Sequence, residues 1–204
     1  DRLGANDPYS TSKACMELMI ESHVRSFKED LTGKTVQVAR AGNVIGGGDW
    51  AENRLIPDIM RAAHSGETFL VRNPKSVRPW QHIFDVLYGY LLIAENFYQS
   101  EEFEQWNISP NTDEVFRVDE IISICKEFFP GLKVEEQKKN FYESNYLLLD
   151  SLKIRSAINW YPLFSVPKSV IKTIEWYNVF QSQNMDIKEY SLKQISEYLN
   201  ERKE

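Results

Sequence analysis

Cysteine is nearly absent: Cys15 and Cys125 are the only two in 204 residues, too few for a disulfide frame. Each falls in a helical pattern, so both are expected to be reduced core residues of a cytoplasmic protein. Histidine is as sparse. His23, His64 and His82 are scattered, with neither H-E-x-x-H nor C-x-x-C, so no metal site is expected. No apolar run approaches the ~20 residues that span a bilayer, and no signal peptide is visible, so no membrane partner is expected. Basic clusters are also missing. The formal charge is −6, which argues against a nucleic-acid partner, although single arginines can still hold a phosphate. The nine glycines nowhere form the G-x-G-x-x-G of a dinucleotide loop or the G-K-[ST] ending of a Walker loop.

The residues that are present form an α/β pattern. With 42% hydrophobic residues the chain can bury one or two ordinary cores. Met16, Met19, Ile20, Val24 and Phe27 form an apolar stripe that predicts a helix over residues 10–28. Residues 35–40 are β-branched and strand-like, and residues 41–53 hold four glycines and are expected to be a loop. Further helices are expected near 57–64, 84–98, from Val118-Asp119 to Pro130, 165–180, and from Asp186 onward. Short strands are expected at 69–71 and 106–108. Too few strands are predicted for a complete doubly wound sheet.

Three features bear on chemistry. G-N-V-I-G-G-G (42–48) is a flexible loop after a strand whose backbone can approach a ligand. Arg40, Arg54, Arg72 and Arg78 flank the strand and loop segments. Arg78 stands between Pro79 and Val77 in V-R-P-W-Q-H, a rigid setting that suits a planar guanidinium holding an anion, or equally one stacked on Trp80. The third is Tyr9 and Lys13, four residues apart at a helix start. Ten tyrosines give roughly 0.7 such pairs by chance, so the spacing alone carries little.

The order of segments carries more. D-P-Y-S-T-S-K, R-A-G-N-V-I-G-G-G-D-W, R-L-I-P-D-I and V-R-P-W-Q-H together resemble the extended short-chain dehydrogenase/reductases, the NAD-dependent epimerase/dehydratase superfamily marked by Y-x-x-x-K. Within it the text is most similar to the branch that dehydrates CDP-sugars. L-L-L-D-S-L-K-I-R, I-N-W-Y-P and T-I-E-W-Y extend the likeness over nearly the whole chain. Ala5 and Asn6 depart from the glycine and histidine common before D-P-Y-S.

The resemblance implies NAD as cofactor and CDP-glucose as substrate, converted to the 4-keto-6-deoxy sugar in deoxysugar biosynthesis. Tyr9 then removes the proton from the sugar 4-hydroxyl while hydride leaves C4, water is lost across C5 and C6, and hydride returns to C6. A free phenol is about three pKa units too weak an acid for this at pH 7, roughly 4 kcal/mol. A lysine ammonium at ~4 Å in an effective dielectric of 20 supplies that order of energy. Lys13 is thus expected to serve both the phenol and the nicotinamide ribose. Asn43, Arg54, Leu55, Arg78 and Asn107 match family positions near the diphosphate or nucleotide.

The family's first strand, glycine-rich loop and dehydration acid/base residues have no counterpart in this text. The expectation is therefore the C-terminal part of a Rossmann-type enzyme, without the N-terminal βαβ dinucleotide half and with a smaller α/β substrate-binding domain. Residues 1–50 would complete the Rossmann domain, 51–182 would mainly bind the nucleotide-sugar, with some segments returning to the Rossmann domain, and 183–204 would form a peripheral helix. The full-length parent is expected to be a homodimer or homotetramer, and the fragment alone inactive. An epimerase or reductase of the same superfamily, and a non-catalytic remnant, remain as alternative readings.

Overall fold

A computed structural model describes residues 7–98, 100–111, 114–137 and 144–203. Helix α1 (Pro8–Ser26) starts where D-P-Y demands it: the Asp7 carboxylate accepts the Ser10 N–H at 2.8 Å, and Pro8 occupies the first turn. The apolar stripe that marks this helix is only partly covered: Ile20 and Val24 are half-buried. Met16, Leu18, Met19 and Phe27 are exposed, and Glu17 is the one buried residue of the helix. Cys15 is exposed as well, correcting its expected place in the core, whereas Cys125 is fully buried and its thiol is pushed up to about 12 by that burial.

Strand β1 (Gln37–Ala41) pairs in parallel with β6 (Glu104–Ile108), placing Arg40 opposite Asn107. The expected loop after β1 instead contains β2 (Asn43–Ile45), parallel to β5 (Trp80–His82). Gly42 is where the chain changes partner. Its N–H donates to Ile108 O at 3.3 Å and that of Asn43 to Pro79 O at 2.8 Å. A Cβ at Gly42 would sit 2.5 Å from that same Pro79 oxygen, so only glycine allows the crossing.

Between these strands lie α2 (Leu55–Ser65), β3 (Thr68–Val71), β4 (Val77–Arg78) and α3 (Ile83–Asn96). After β6 come β7 (Phe116–Arg117), antiparallel to β4, then α4 (Val118–Phe128) and β8 (Lys133–Glu136), parallel to β3. The cap of α4 sits one residue before Val118: the Glu120 carboxylate reaches back to accept the Arg117 N–H at 2.8 Å.

Two apolar clusters form. One joins Ile45, Ile59, Met60 and Trp80 to Ile121 of α4 and to Ile174 of α6 (Val166–Ser182). The other packs Val86 and Ile93 of α3 against Trp106, Ile108, Trp160 and Ile154 of α5 (Leu152–Ile158). The tail expected to be peripheral forms α7 (Ile187–Glu201), and one face of it is built into the body. Tyr198 is buried and donates to the fully buried Asp85 carboxylate at 2.9 Å, and Arg202 bonds the same oxygen at 2.8 Å. Backbone N–H groups of Leu163 and Phe164 complete the shell at 2.7 and 3.2 Å. Burial raises the pKa of Asp85, and these four donors work against that rise.

Candidate functional site

The change of partner at Gly42 opens the floor of a cleft of about 1130 Å³. The segment from Arg40 to Gly46 lines it below, the start of α2 and the end of β3 form its walls, and Tyr9 stands at its edge, 68% exposed. Among the described residues, five arginines (40, 54, 61, 72 and 78) line it against three carboxylates (Asp49, Asp58 and Glu67). In a chain of net charge −6 the lining is thus locally cationic.

Each arginine is placed by a different device. Arg54 occupies the N-cap of α2, so its side chain leaves the helix at the end where N–H groups also attract anions. Arg61, about two turns further along α2, donates from Nη1 to Trp50 O at 2.9 Å and from Nη2 to Ala51 O at 3.2 Å, and pairs with Asp58. It thereby ties the loop after β2 to α2. Arg72 reaches Asn53 O at 3.4 Å. Arg78 is 8% exposed, and its Nη1 donates to Val77 O at 2.7 Å. Arg40 is half-buried and bonded to Glu17, a partner that raises its pKa further.

The glycines of G-N-V-I-G-G-G are packing and turn residues. A Cβ on Gly47 would lie 2.1 Å from the Trp176 ring, and one on Gly46 would lie 2.6 Å from Ile83. Gly48 has φ +84°, in the left-handed region. The segment therefore shapes the cleft through its packing on Trp176 and Ile83.

Of the seven side chains singled out from sequence, Tyr9, Asn43, Arg54, Leu55 and Arg78 line this cleft. Lys13 lies outside its lining, with Nζ 5.9 Å from the centre of the Tyr9 ring. Asn107 is also outside: its amide oxygen accepts from Arg40 at 3.3 Å and its Nδ2 donates to Asp150 O at 3.0 Å. Glu17 and Arg61 were not anticipated. Glu17 was legible as one helical turn beyond Lys13, but its partner in β1 was not. His82 is buried, its Nδ1 accepts the Phe84 N–H at 3.2 Å, and burial, then Lys172, lowers its pKa to about 3; it is a neutral structural group. Among the described residues, no cluster of three His, Cys, Asp or Glu side chains has metal-binding geometry.

Parallel strand pairs flanked by helices, with an arginine-rich cleft that Tyr9 of the Tyr-x-x-x-Lys helix borders, make this an α/β protein of Rossmann type. The chain belongs to the NAD dependent epimerase/dehydratase family, whose model matches residues 1–109. It is 34% identical to a CDP-glucose 4,6-dehydratase of Salmonella typhimurium over 97% of this chain and 57% of that protein. A crystal structure of dTDP-glucose 4,6-dehydratase from Bacillus anthracis in complex with NAD superposes with a TM-score of 0.72 at 20% identity, covering 87% of this chain and 54% of the other. UDP-glucuronic acid 4-epimerase from Bacillus cereus, in complex with UDP-glucuronic acid and NAD, gives 0.73 at 15% identity, with 85% and 53% covered. The chain thus spans about half the length of its relatives.

The residues present fit one end of NAD. Tyr9 and Lys13 are exposed neighbours on α1 and offer a hydroxyl and an ammonium to a ribose. The pyrophosphate requires a glycine-rich strand-to-helix turn, and the glycines here are committed to Pro79, Ile83 and Trp176.

Proposed function

We propose that the full-length protein carrying this chain is an NAD-dependent nucleotide-sugar 4,6-dehydratase that converts CDP-glucose to CDP-4-keto-6-deoxy-glucose. The observation that carries the reading is the single cleft that collects Tyr9, Asn43, Arg54 and Arg78 from four separate segments. The 34% identity to a CDP-glucose 4,6-dehydratase over 97% of the chain supports the choice of sugar nucleotide.

In this reading the nucleotide-sugar lies along the cleft with its diphosphate toward Arg54 and Arg78. The guanidinium forks and the N–H groups at the start of α2 neutralise it, and Asn43 and Leu55 border the same ligand. Tyr9, at the cleft edge, takes the proton of the sugar 4-hydroxyl. Lys13, on the same helix face, supplies the positive field that a phenolate requires and a donor for the cofactor ribose. Bound NAD supplies the reversible hydride store. Asn107 acts at one remove, through Arg40. Residues 1–50 then belong with the dinucleotide-binding half, and residues 51–182 mainly hold the nucleotide-sugar, with β5 and β6 returning to pair with β2 and β1.

Steady-state kinetics on the full-length protein with CDP-, dTDP- and UDP-glucose tests the substrate. The expected kcat/KM ratio favours CDP-glucose by at least about 10-fold, the order available from hydrogen bonds to a base edge. Equal turnover of all three would remove the CDP assignment, and epimerised product without loss of water would remove the dehydratase.

A further inference from the structure

Helix α1 carries the reactive pair of the proposed function, yet none of its apolar side chains is fully buried against the rest of the described structure. Met16, Leu18 and Met19 face solvent, Ile20 and Val24 are half-buried, and its one buried residue is an acid, Glu17, at 8% exposure. Glu17 is gripped by Arg40 of β1. Arg40 Nε lies 2.8 and 2.9 Å from the two carboxylate oxygens, and Nη2 bonds Oε2 as well. Arg40 is itself held from β6: Nη2 donates to Gln105 Oε1 at 2.6 Å and Nη1 to Asn107 Oδ1 at 3.3 Å. Asn107 then donates to the Asp150 carbonyl at 3.0 Å. A rigid parallel ladder, in which Arg40 stands opposite Asn107, thus ends in a planar fork clasping one carboxylate of α1.

Glu17 follows Lys13 by one turn and Tyr9 by two, so all three share a helix face. We propose that the Glu17–Arg40 pair is a positioning device that sets the angle of α1 on the β1–β6 ladder and so fixes the Tyr9 hydroxyl against the cleft. This rests on the reading of Tyr9 as the base. Eight residues at 1.5 Å each put Tyr9 about 12 Å along the axis from the clasp. A tilt of about 5° there displaces Tyr9 by roughly 1 Å, a misplacement of the kind that costs on the order of 10²-fold in rate. Arginine is required because lysine keeps the charge without the fork that defines an angle.

The test compares Glu17→Gln, Arg40→Lys and Tyr9→Phe in the full-length protein, assayed with CDP-glucose well below the melting temperature of each variant. Glu17→Gln and Arg40→Lys are expected to lower kcat about 10- to 100-fold with KM for the nucleotide-sugar within about twofold. Amide exchange across α1 should quicken at least about 10-fold while α2 and α4 keep their protection. A general loss of stability would raise exchange everywhere and would not separate kcat from KM. Unchanged kcat in both variants, while Tyr9→Phe is inactive, overturns the proposal. So does a raised KM at constant kcat, which would make Arg40 a ligand contact. Normal turnover in Tyr9→Phe removes the base assignment instead, and α1 exchange then decides the clasp alone: unchanged protection in Arg40→Lys refutes it.

Discussion

Replacing Gly47 by alanine adds one methyl group at a place with no room for it. The new Cβ would lie 2.1 Å from two atoms of the Trp176 ring. That ring stacks on Phe180 at 5.6 Å, with planes 7° apart, and its Nε1 donates to Ser191 Oγ of α7 at 2.9 Å. Making space means moving the indole off both partners. Overpacking costs about 1–3 kcal/mol and the displaced hydrogen bond about 1 kcal/mol more. At roughly 2–4 °C per kcal/mol for a chain of this size, a net cost of about 3 kcal/mol lowers the melting temperature by roughly 6–12 °C. Calorimetry reads the shift, and near-ultraviolet circular dichroism reads the lost indole packing. Gly33→Ala is the control, because Gly33 has φ +73° but nothing within 4 Å of an added Cβ. It carries only the left-handed backbone cost of about 1–2 kcal/mol and should leave the aromatic signal intact. A Gly47→Ala protein melting within about 2 °C of the parent would refute the close-approach argument.

Other outcomes follow from buried charge and from the cleft. His82 has its pKa lowered to about 3 against about 6.5 unfolded, so the unfolded state binds the extra proton as pH falls between those values. Stability should therefore drop by about 2 kcal/mol from pH 7 to pH 5 on this account, and His82→Asn, which keeps a helix-capping acceptor, should flatten that slope in urea titrations; an unchanged slope contradicts it. Arg202→Ala removes a charged donor from the buried Asp85 carboxylate and should cost about 1.5–3 kcal/mol, with faster proteolysis between α6 and α7; a neutral result would mean that Tyr198 and the two backbone donors suffice. Arg78→Lys should weaken CDP binding despite keeping the charge, and Arg78→Ala should weaken it roughly 10- to 100-fold by calorimetry on the full-length protein. A lowered apo melting temperature with unchanged CDP affinity would instead make Arg78 a loop stiffener.

The cleft was legible in part because several sequence motifs that lie far apart in the chain meet in space. R-A-G-N-V-I-G-G-G-D-W lies between V-R-P-W-Q-H and T-I-E-W-Y: β2 pairs β5, Gly42 abuts Pro79, and Gly47 abuts Trp176. Strand β2 itself was hidden, since three residues hemmed in by glycines carry no period that separates a strand from a loop. The stripe on α1 was a true helix signal, but it could not tell that Met16, Met19 and Phe27 stay exposed while Ile20 and Val24 are half-buried, because periodicity gives the face of a helix and not what covers it. The place of the tail was invisible for another reason. Arg202 meets Asp85 across 117 residues, and local pattern holds no information about a contact that topology makes. The same limit hid the Glu17–Arg40 clasp and the bonds of the Asn107 side chain to Arg40 and to the Asp150 carbonyl.

The most direct test of the central claim follows one hydrogen. CDP-glucose carrying deuterium at C4 is incubated with the full-length protein and NAD, and the product is read by nuclear magnetic resonance. A dehydratase that removes hydride from C4 while Tyr9 takes the hydroxyl proton, and then returns that hydride to C6, places the deuterium in the new C6 methyl group. Deuterium retained at C4 of an epimerised, still hydrated sugar would contradict the account.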